Sequence, residues 1–153
     1  MRRIRAAFAA ILLILPLSAA FSQSGATPFT HGEDPSVWLG SLLPKVFETL
    51  GPPAAVRSVR GPESWQDDVV FKYEGLELYW FKDRVWQVRA EAAYGFRVGD
   101  ASDVVFSSLG EPLHRLDSGF VYQSVGRSWP TRIRVSFTAD GRVSDIYVYR
   151  ADF

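Results

Sequence analysis

The sequence predicts a two-layer α+β domain, in which two tandem αβββ units form one antiparallel sheet of about six strands with the helices on one face. Three observations predict it. A helix-like stretch occurs twice, as GSLLPKVFETLGPP at 40–53 and as GDASDVVFSSLGEP at 99–112. Each copy is followed by three short segments with the composition of strands. Neither unit is long enough to bury a good core alone, so we expect the two to share one.

Residues 1–22 have the layout of a secretory signal peptide. Three arginines precede an apolar run over 6–17, and small residues follow, so we expect cleavage after Ala20 or Ser22. The apolar run is shorter than the roughly 20 residues that span a bilayer. An uncleaved N-terminal anchor is the alternative. We predict a periplasmic or secreted protein that has no integral membrane span after cleavage.

The composition of the mature chain excludes several classes of function. Three of the 17 basic residues and none of the 17 acidic ones lie in the signal peptide, so the mature chain is slightly acidic. It lacks the basic surface that nucleic-acid binding requires. The chain has no cysteine, which excludes a lipidated N-terminus, thiol chemistry and a cysteine-ligated metal. Disulfides are absent although an extracytoplasmic compartment permits them.

One domain should follow a short leader. Residues 23–36 are rich in Ser, Thr, Gly and Pro and are predicted to be flexible. The domain is predicted to span 37–153 and to consist of two repeats, at about 37–95 and 96–153.

Each repeated stretch carries signals for the start and stop of a helix. Ser41 is predicted to cap the first helix, and Ser102 or Asp100 the second, because their side chains can accept hydrogen bonds from free backbone N–H groups. Gly51 and Gly110 stand where a helix ends in a left-handed residue, and prolines follow them.

The segments after each helix predict two three-stranded meanders. They are rich in β-branched and aromatic residues and broadly alternate between apolar and polar. In chain order they are VVFKY (69–73), LELYWF (76–81), RVWQVRAE (84–91), GFVYQS (119–124), RIRVSFT (132–138) and RVSDIYVYR (142–150). Short turns at 82–83 and 139–141 join the last two strands of each unit.

The repeated pattern resembles a known family. The stretches GDASDVVFSSLGEP and FTADGRVSDIYVY, with GSLLPKVFETLGPP and FKDRVWQV as the weaker copy, are similar to the small outer-membrane assembly proteins of the SmpA/OmlA (BamE) type. In tandem they resemble the β-lactamase inhibitor proteins, which contain two such units. The resemblance covers roughly 38–150 and implies a fold that binds other proteins. Two departures stand out: the assembly proteins have an anchoring cysteine and the inhibitor has disulfides, whereas this chain has neither.

No group of residues in the sequence predicts catalysis, metal binding or a cofactor. His31 and His114 are far apart in sequence, and no Gly-x-Ser-x-Gly or phosphate-binding loop occurs. Asp67 and Asp68 are adjacent, and on an extended chain adjacent side chains point apart, so we interpret them as solvated turn residues. We therefore predict a protein that is not an enzyme, and an unrecognised hydrolase is an alternative.

Alternation along the strands predicts two unlike faces of the sheet. The face toward the helices should carry Leu76, Leu78, Trp80, Val88, Ile133, Val135, Phe137, Ile146 and Val148. The other face should carry Tyr79, Phe81, Val85, Gln87, Arg89, Arg134, Ser136, Asp145, Tyr147 and Tyr149. That second face mixes aromatic with charged side chains, and no helix remains to cover it.

The uncovered face predicts the function. Tyrosine and arginine are enriched at protein-binding hot spots. The predicted partner-binding residues are Tyr79, Phe81, Arg89, Arg134, Tyr147 and Tyr149, with Trp129 and Trp65 in neighbouring loops. The partner is expected to be a protein of the cell envelope or an extracellular enzyme, so the chain would be an assembly or scaffold factor or an inhibitor. Alternatives are a periplasmic carrier of a small apolar ligand, and aromatics that pack on each other, on the leader or on a second copy of the chain.

Overall fold

The structure is a computed structural model that describes residues 33–60, 68–124, 126 and 128–152. The predicted signal peptide, the predicted leader before Glu33, Trp65 and Asp67 lie outside the described residues.

Eight antiparallel strands form one sheet. They are β1 (Ala55–Val59), β2 (Asp68–Tyr73), β3 (Leu76–Phe81), β4 (Arg84–Ala90), β7 (His114–Leu116), β8 (Gly119–Ser124), β9 (Thr131–Phe137) and β10 (Val143–Arg150), while β5 (Ala92–Ala93) and β6 (Phe96–Arg97) pair separately. The strand order of the large sheet is β1-β2-β3-β4-β10-β9-β8-β7. The two halves of the chain therefore meet at β4 and β10, and β1 and β7 are the edges.

Short helices precede each set of four strands. They are a 3₁₀ helix (Pro35–Trp38), α1 (Leu43–Leu50) and α2 (Ser102–Leu109). As predicted, the α-helices end at Gly51 and Gly110, which adopt φ values of 70° and 73°. The predicted caps are wrong, because no side chain caps either helix. Leu42 and Ala101 hold the cap positions instead, and both have an extended backbone. Leu42 pairs with Arg84 of β4, and Ala101 pairs with Arg142, the residue before β10.

The predicted fold class is wrong. The protein is mostly β, with a single eight-stranded sheet and a small two-stranded one, and is not a two-layer α+β domain. Each α-helix has eight residues, about 12 Å in length, and buries one side chain, Val46 or Val105. The helices are therefore too short to form a layer over the sheet.

The two strands of the large sheet that the sequence pattern does not indicate are β1 and β7. Both follow the glycine and prolines that end a helix, and both lie at an edge of the sheet. Their side chains are almost all exposed. An edge strand without a buried face shows no alternation of apolar and polar residues, which explains why six strands were expected and eight are present.

The core lies on the side of the sheet that faces the helices. Its buried side chains are Leu39, Val46, Tyr73, Leu76, Leu78, Trp80, Val85, Val88, Ala90, Ala93, Phe96, Val105, Tyr122, Ile133, Val135, Val143, Ile146 and Val148. Every residue predicted to face the helices belongs to this cluster or, in the case of Phe137, packs against it. The alternation argument is confirmed for these positions.

Val85 is the exception among the residues predicted on the other face. It is fully buried in the core. The cause is a β-bulge: Tyr79 pairs with Gln87 but Trp80 pairs with Val85, so Trp86 is an extra residue in β4. One extra residue reverses the alternation, which turns Val85 toward the helices.

Both halves of the chain attach the start of their helix to the sheet in the same way. The Gly40 N–H donates to the Val85 carbonyl at 2.7 Å, and Arg84 Nη1 donates to the Gly40 carbonyl at 3.2 Å. In the second half, the Gly99 N–H donates to the Val143 carbonyl at 2.8 Å, and Arg142 Nη1 donates to the Gly99 carbonyl at 3.0 Å. Helix and strands are thus joined by corresponding backbone contacts.

Candidate functional site

The side of the sheet away from the core carries two rows of aligned side chains. One row, across all eight strands, is Ala55, Lys72, Glu77, Arg89, Tyr147, Arg134, Val121 and His114. The neighbouring row is Arg57, Val70, Tyr79, Gln87, Tyr149, Arg132 and Gln123. We call these two rows, together with the flanking Phe81, Ser136 and Asp145, the open face. The buried residues of α1 and α2 join the core on the opposite side.

In the first half of the chain, the open face is held by a hydrogen-bonded group around Glu77. Arg57 Nη2 donates to Glu77 Oε2 at 2.8 Å and to the Tyr79 hydroxyl at 3.4 Å. The Tyr79 hydroxyl donates to the same carboxylate oxygen at 3.2 Å. These bonds fix the orientation of a tyrosine that is only 7% exposed.

Tyr79 stays protonated well beyond the usual range. Burial is the largest cause that raises the pKa of its phenol, and the neighbouring Tyr147 and the carboxylate of Glu77 raise it further. The hydrogen bond from Arg57 opposes this shift in pKa. The phenol is therefore a hydrogen-bond donor at physiological pH, as its bond to Glu77 requires.

Two contacts join the halves across the open face. Arg89 Nε on β4 lies 2.8 Å from Asp145 Oδ1 on β10. The rings of Tyr79 and Tyr147 meet edge to face, with centroids 6.2 Å apart, which is a favourable geometry for an aromatic pair. The centre of the open face is therefore a rigid surface of tyrosine and arginine.

The second half of the open face is held differently. The Arg134 guanidinium lies 4.7 Å from the centroid of the Tyr147 ring, within the range of a cation–π interaction. Nη1 of Arg132 and Nε of Arg134 are buried and have no hydrogen-bond partner among the described residues. This half therefore presents arginines that no carboxylate of the described chain neutralises.

Most of the predicted partner-binding residues lie together. Tyr79, Arg89, Arg134, Tyr147 and Tyr149 all belong to the open face. Phe81 lies at the end of β3, where the Nζ of Lys82 is 5.2 Å from its ring centroid.

Trp129 lies apart from them. Its ring packs beside Gly40, where an added Cβ would meet Trp129 Cη2 at 3.4 Å. The Arg150 guanidinium covers the ring at 4.8 Å from its centroid. Arg150 pairs with the buried Thr131 and alternates with the core residue Val148, so Trp129 lies on the core side of the sheet.

Sequence reasoning missed several residues of the open face. Arg57 could not be placed because β1 was not predicted. Glu77 and Arg132 follow from the same alternation that placed Tyr79 and Arg134, so the signal for them was present in the sequence. Asp68, predicted to be a solvated turn residue, begins β2 and accepts a hydrogen bond from Trp86 Nε1 at 3.0 Å.

A cleft of about 480 Å³ opens next to the open face. Its walls are formed by Glu74, Gly75, Arg89, Glu91, Ala92, Arg97 and Val98. Four of these seven residues are charged and none is aromatic, whereas pockets for small apolar ligands are lined mainly by apolar and aromatic side chains. The cleft does not favour the alternative of an apolar-ligand carrier.

Within 33–60, 68–124, 126 and 128–152, no three His, Asp or Glu side chains lie close enough to hold a metal ion. In the same residues, neither helix has the length and apolar character of a membrane span.

Comparison with known proteins gives only distant likenesses. No family model matches the chain, and no curated protein matches it. A solved structure of the DUF4309 family protein YjgB from Bacillus subtilis subsp. subtilis str. 168 is 17% identical, with a TM-score of 0.49 over 72% of this chain and 78% of that chain. An extracellular protein containing a SCP domain from Bacillus anthracis str. Ames is 9% identical, with a TM-score of 0.49 over 82% of this chain and 50% of that chain.

These likenesses carry no argument about activity or partners. The aligned region covers half the length of the SCP-domain protein. Neither match is to a protein of the SmpA/OmlA (BamE) type or to a β-lactamase inhibitor. The resemblance of the repeated motif to those proteins stays a prediction.

Proposed function

We propose that this chain is a non-enzymatic protein-binding domain of the cell envelope or the extracellular space, and that it binds through the open face. One observation carries the proposal. Tyr147, Tyr149 and Arg134 lie together with Tyr79 and Arg89 on the side of the sheet opposite the core. Aromatic residues and arginine are the types most enriched at binding hot spots.

The open face is also suited to binding because it is already ordered. Arg57, Glu77 and Tyr79 form one hydrogen-bonded group, and Arg89 is bonded to Asp145. Side chains that are fixed before binding lose little conformational entropy when a partner arrives. An aromatic side chain buries about 150–250 Å², which at roughly 25 cal/mol per Å² contributes several kcal/mol.

The titratable groups of this face support binding rather than catalysis. The carboxylates of Glu77 and Asp145 are bonded to Arg57 and Arg89 instead of converging on a cavity. The hydroxyl of Tyr79 donates a hydrogen bond to Glu77. The arrangement therefore recognises a surface and does not activate a nucleophile.

Features of the sequence support the proposed location and the proposed kind of partner. The signal-peptide layout of residues 1–22 supports a periplasmic or secreted protein. The partner is then an envelope protein, for which the chain acts as an assembly or scaffold factor, or an extracellular enzyme that it inhibits. The resemblance of the repeated motif to SmpA/OmlA (BamE) proteins supports the first role, and that to the inhibitor the second.

The test compares two matched double variants in a pull-down from envelope and culture extracts. Tyr147→Ala/Tyr149→Ala truncates the open face, and Leu43→Ala/Phe47→Ala truncates exposed apolar side chains of α1 on the other side. Tyr79 is left intact because it is buried and bonded to Glu77. Circular dichroism checks that both variants fold.

We expect the first variant to lose a partner that the wild type and the second variant both recover. The partner is then identified by mass spectrometry and its affinity measured with purified proteins. If Tyr147→Ala/Tyr149→Ala recovers every partner as well as the wild type and the control variant do, the open face is not the binding site.

A further inference from the structure

We propose that the second half of the open face binds the carboxylates of an acidic protein segment, with Arg132 and Arg134 as anchors and Tyr147 and Tyr149 beside them. This inference rests on the proposed function and adds the chemistry of the partner.

The two halves of the chain differ in charge at corresponding positions. When the two repeats are aligned, Leu78 corresponds to Val135 and Val88 corresponds to Ile146. The residue before the first pair is Glu77 in one repeat and Arg134 in the other. The residue after the second pair is Arg89 in one repeat and Tyr147 in the other. In the first half, Glu77 and Arg89 are cross-strand partners. In the second half, the partners are Arg134 and Tyr147. The first half thus has an acid beside its cross-strand partner, and the second half has the base Arg134 at the corresponding position.

No acidic neighbour stands beside the two arginines on the strands that pair with β9. Arg132 pairs with Tyr149 and Gln123. Arg134 pairs with Tyr147 and Val121.

Asp145 is the next acid along β10, but it already accepts a bond of 2.8 Å from Arg89. Among the residues that the structure describes, neither Arg132 nor Arg134 forms an ion pair.

The guanidinium groups are also incompletely hydrogen-bonded. In the described chain, Nη1 of Arg132 and Nε of Arg134 are shielded from solvent without an acceptor. Both residues are partly exposed, so a partner can reach them. A carboxylate accepts two parallel bonds from one guanidinium, and it would supply the missing charge.

The spacing of the patch fits an extended peptide segment. Arg132 and Arg134 are two residues apart on one strand, which separates them by about 7 Å. Carboxylates at alternate positions of an extended segment have the same spacing, and Tyr147 and Tyr149 repeat it on the adjacent strand. A membrane or nucleic acid is a weaker fit, because the mature chain is slightly acidic and lacks the long-range attraction that those polyanions require.

The experiment measures the binding of fluorescein-labelled peptides to the full mature chain by fluorescence anisotropy. The peptides are an octamer that alternates Glu and Thr and an uncharged octamer that alternates Gln and Thr. The variants are Arg132→Gln/Arg134→Gln and, as the control, Lys72→Gln, which removes a cation of the same face in the first half. Phosphatidylglycerol vesicles are tested in parallel by sedimentation.

We expect the acidic octamer to bind at least tenfold more tightly than the neutral one. The Arg132→Gln/Arg134→Gln variant should lose at least tenfold in affinity, while Lys72→Gln stays within about twofold and rising salt weakens the binding. If the double variant does not fold, the salt dependence and the shifts of the Arg side-chain NMR signals of the wild type decide instead.

Several results would overturn the inference. They are equal affinity for the two octamers, no effect of Arg132→Gln/Arg134→Gln, or binding of the vesicles in place of the acidic peptide. The proposed function is tested separately. If a partner is lost by Tyr147→Ala/Tyr149→Ala but kept by Arg132→Gln/Arg134→Gln, the open face binds a protein, but it does not bind an acidic segment through these arginines.

Discussion

Arg89 and Asp145 form an ion pair across the joint between the two halves of the chain, with Nε and Oδ1 2.8 Å apart. The pair lies on the open face, beside the pairing of Arg89 with Tyr147. Its side chains are 25% and 32% exposed, so it is partly shielded from water. The same two side chains that shape the predicted binding surface therefore also hold the two halves together.

Loss of this pair should destabilise the whole fold. We expect Asp145→Asn to lower the free energy of unfolding by about 1–2 kcal/mol, since a hydrogen bond to a charged group contributes more than an exposed ion pair. Urea denaturation of Asp145→Asn, Arg89→Gln and the double variant gives the coupling energy. Glu111→Gln, which breaks an exposed pair with Arg115, is the control and should change stability by less than about 0.5 kcal/mol. A coupling energy near zero would show that the pair does not join the halves.

Alkaline pH should unfold the protein partly through Tyr79. Burial raises the pKa of Tyr79 above its usual value of 10. The unfolded chain therefore releases this proton first as the pH rises, so the stability from Tyr79 is complete below about pH 10 and is lost above it. Burial also raises the pKa of Tyr73 and Tyr122, in the same direction. Urea midpoints measured from pH 8 to 11 should fall less steeply for Tyr79→Phe than for the wild type, and parallel curves would contradict the assignment.

The turn between β3 and β4 should be improved by a glycine. Lys82 has a φ of 57°, one of two non-glycine residues in the described ranges with a positive φ. A left-handed conformation costs a residue with a Cβ about 1–2 kcal/mol, and the greater flexibility of glycine in the unfolded chain offsets part of the gain. We expect Lys82→Gly to raise the free energy of unfolding by about 0.5–1 kcal/mol. Asp83→Gly relieves no positive φ and should lower the free energy of unfolding. Thermal melts compare the two variants, and a higher melting temperature for Asp83→Gly than for Lys82→Gly would contradict the prediction.

The short helices should depend on one buried side chain each. Val46 and Val105 are completely buried against the sheet. Removal of two methyl groups from such a site should cost about 2 kcal/mol in each of Val46→Ala and Val105→Ala. Val104→Ala is a matched control beside Val105, because Val104 is 37% exposed. An equal loss of stability in Val104→Ala and Val105→Ala, measured by urea denaturation, would show that the burial of Val105 is not the cause, since alanine has the higher helix propensity.

The inward face of the sheet could be predicted from the sequence because burial on one side imposes a period of two residues. Leu78, Val135 and Ile146 obey that period and lie in the core. The ends of the helices could be predicted too, because Gly51 and Gly110 stop a helix by local geometry. These features depend on residues close together in the chain.

The remaining features depend on contacts between distant residues. Val85 turns inward because of a bulge that only its pairing with Trp80 reveals. Ser41 does not cap α1, because its carbonyl accepts a hydrogen bond from the Val85 N–H and the helix begins after the strand contact. Trp129 lies on the core side because its loop packs against Gly40, far away in sequence.

The central pairing of β4 with β10 has a consequence for symmetry. These are the last strands of two similar sets of elements, and they run antiparallel. Two identical chains would join in the same way about a twofold axis, as in an isologous homodimer. Such a dimer must carry the same residue at both ends of its sheet, so its two ends cannot differ in charge. A covalently fused pair is free of that constraint and can hold Glu77 on one side of its central strands and Arg134 on the other, so the two sides of the surface differ in charge.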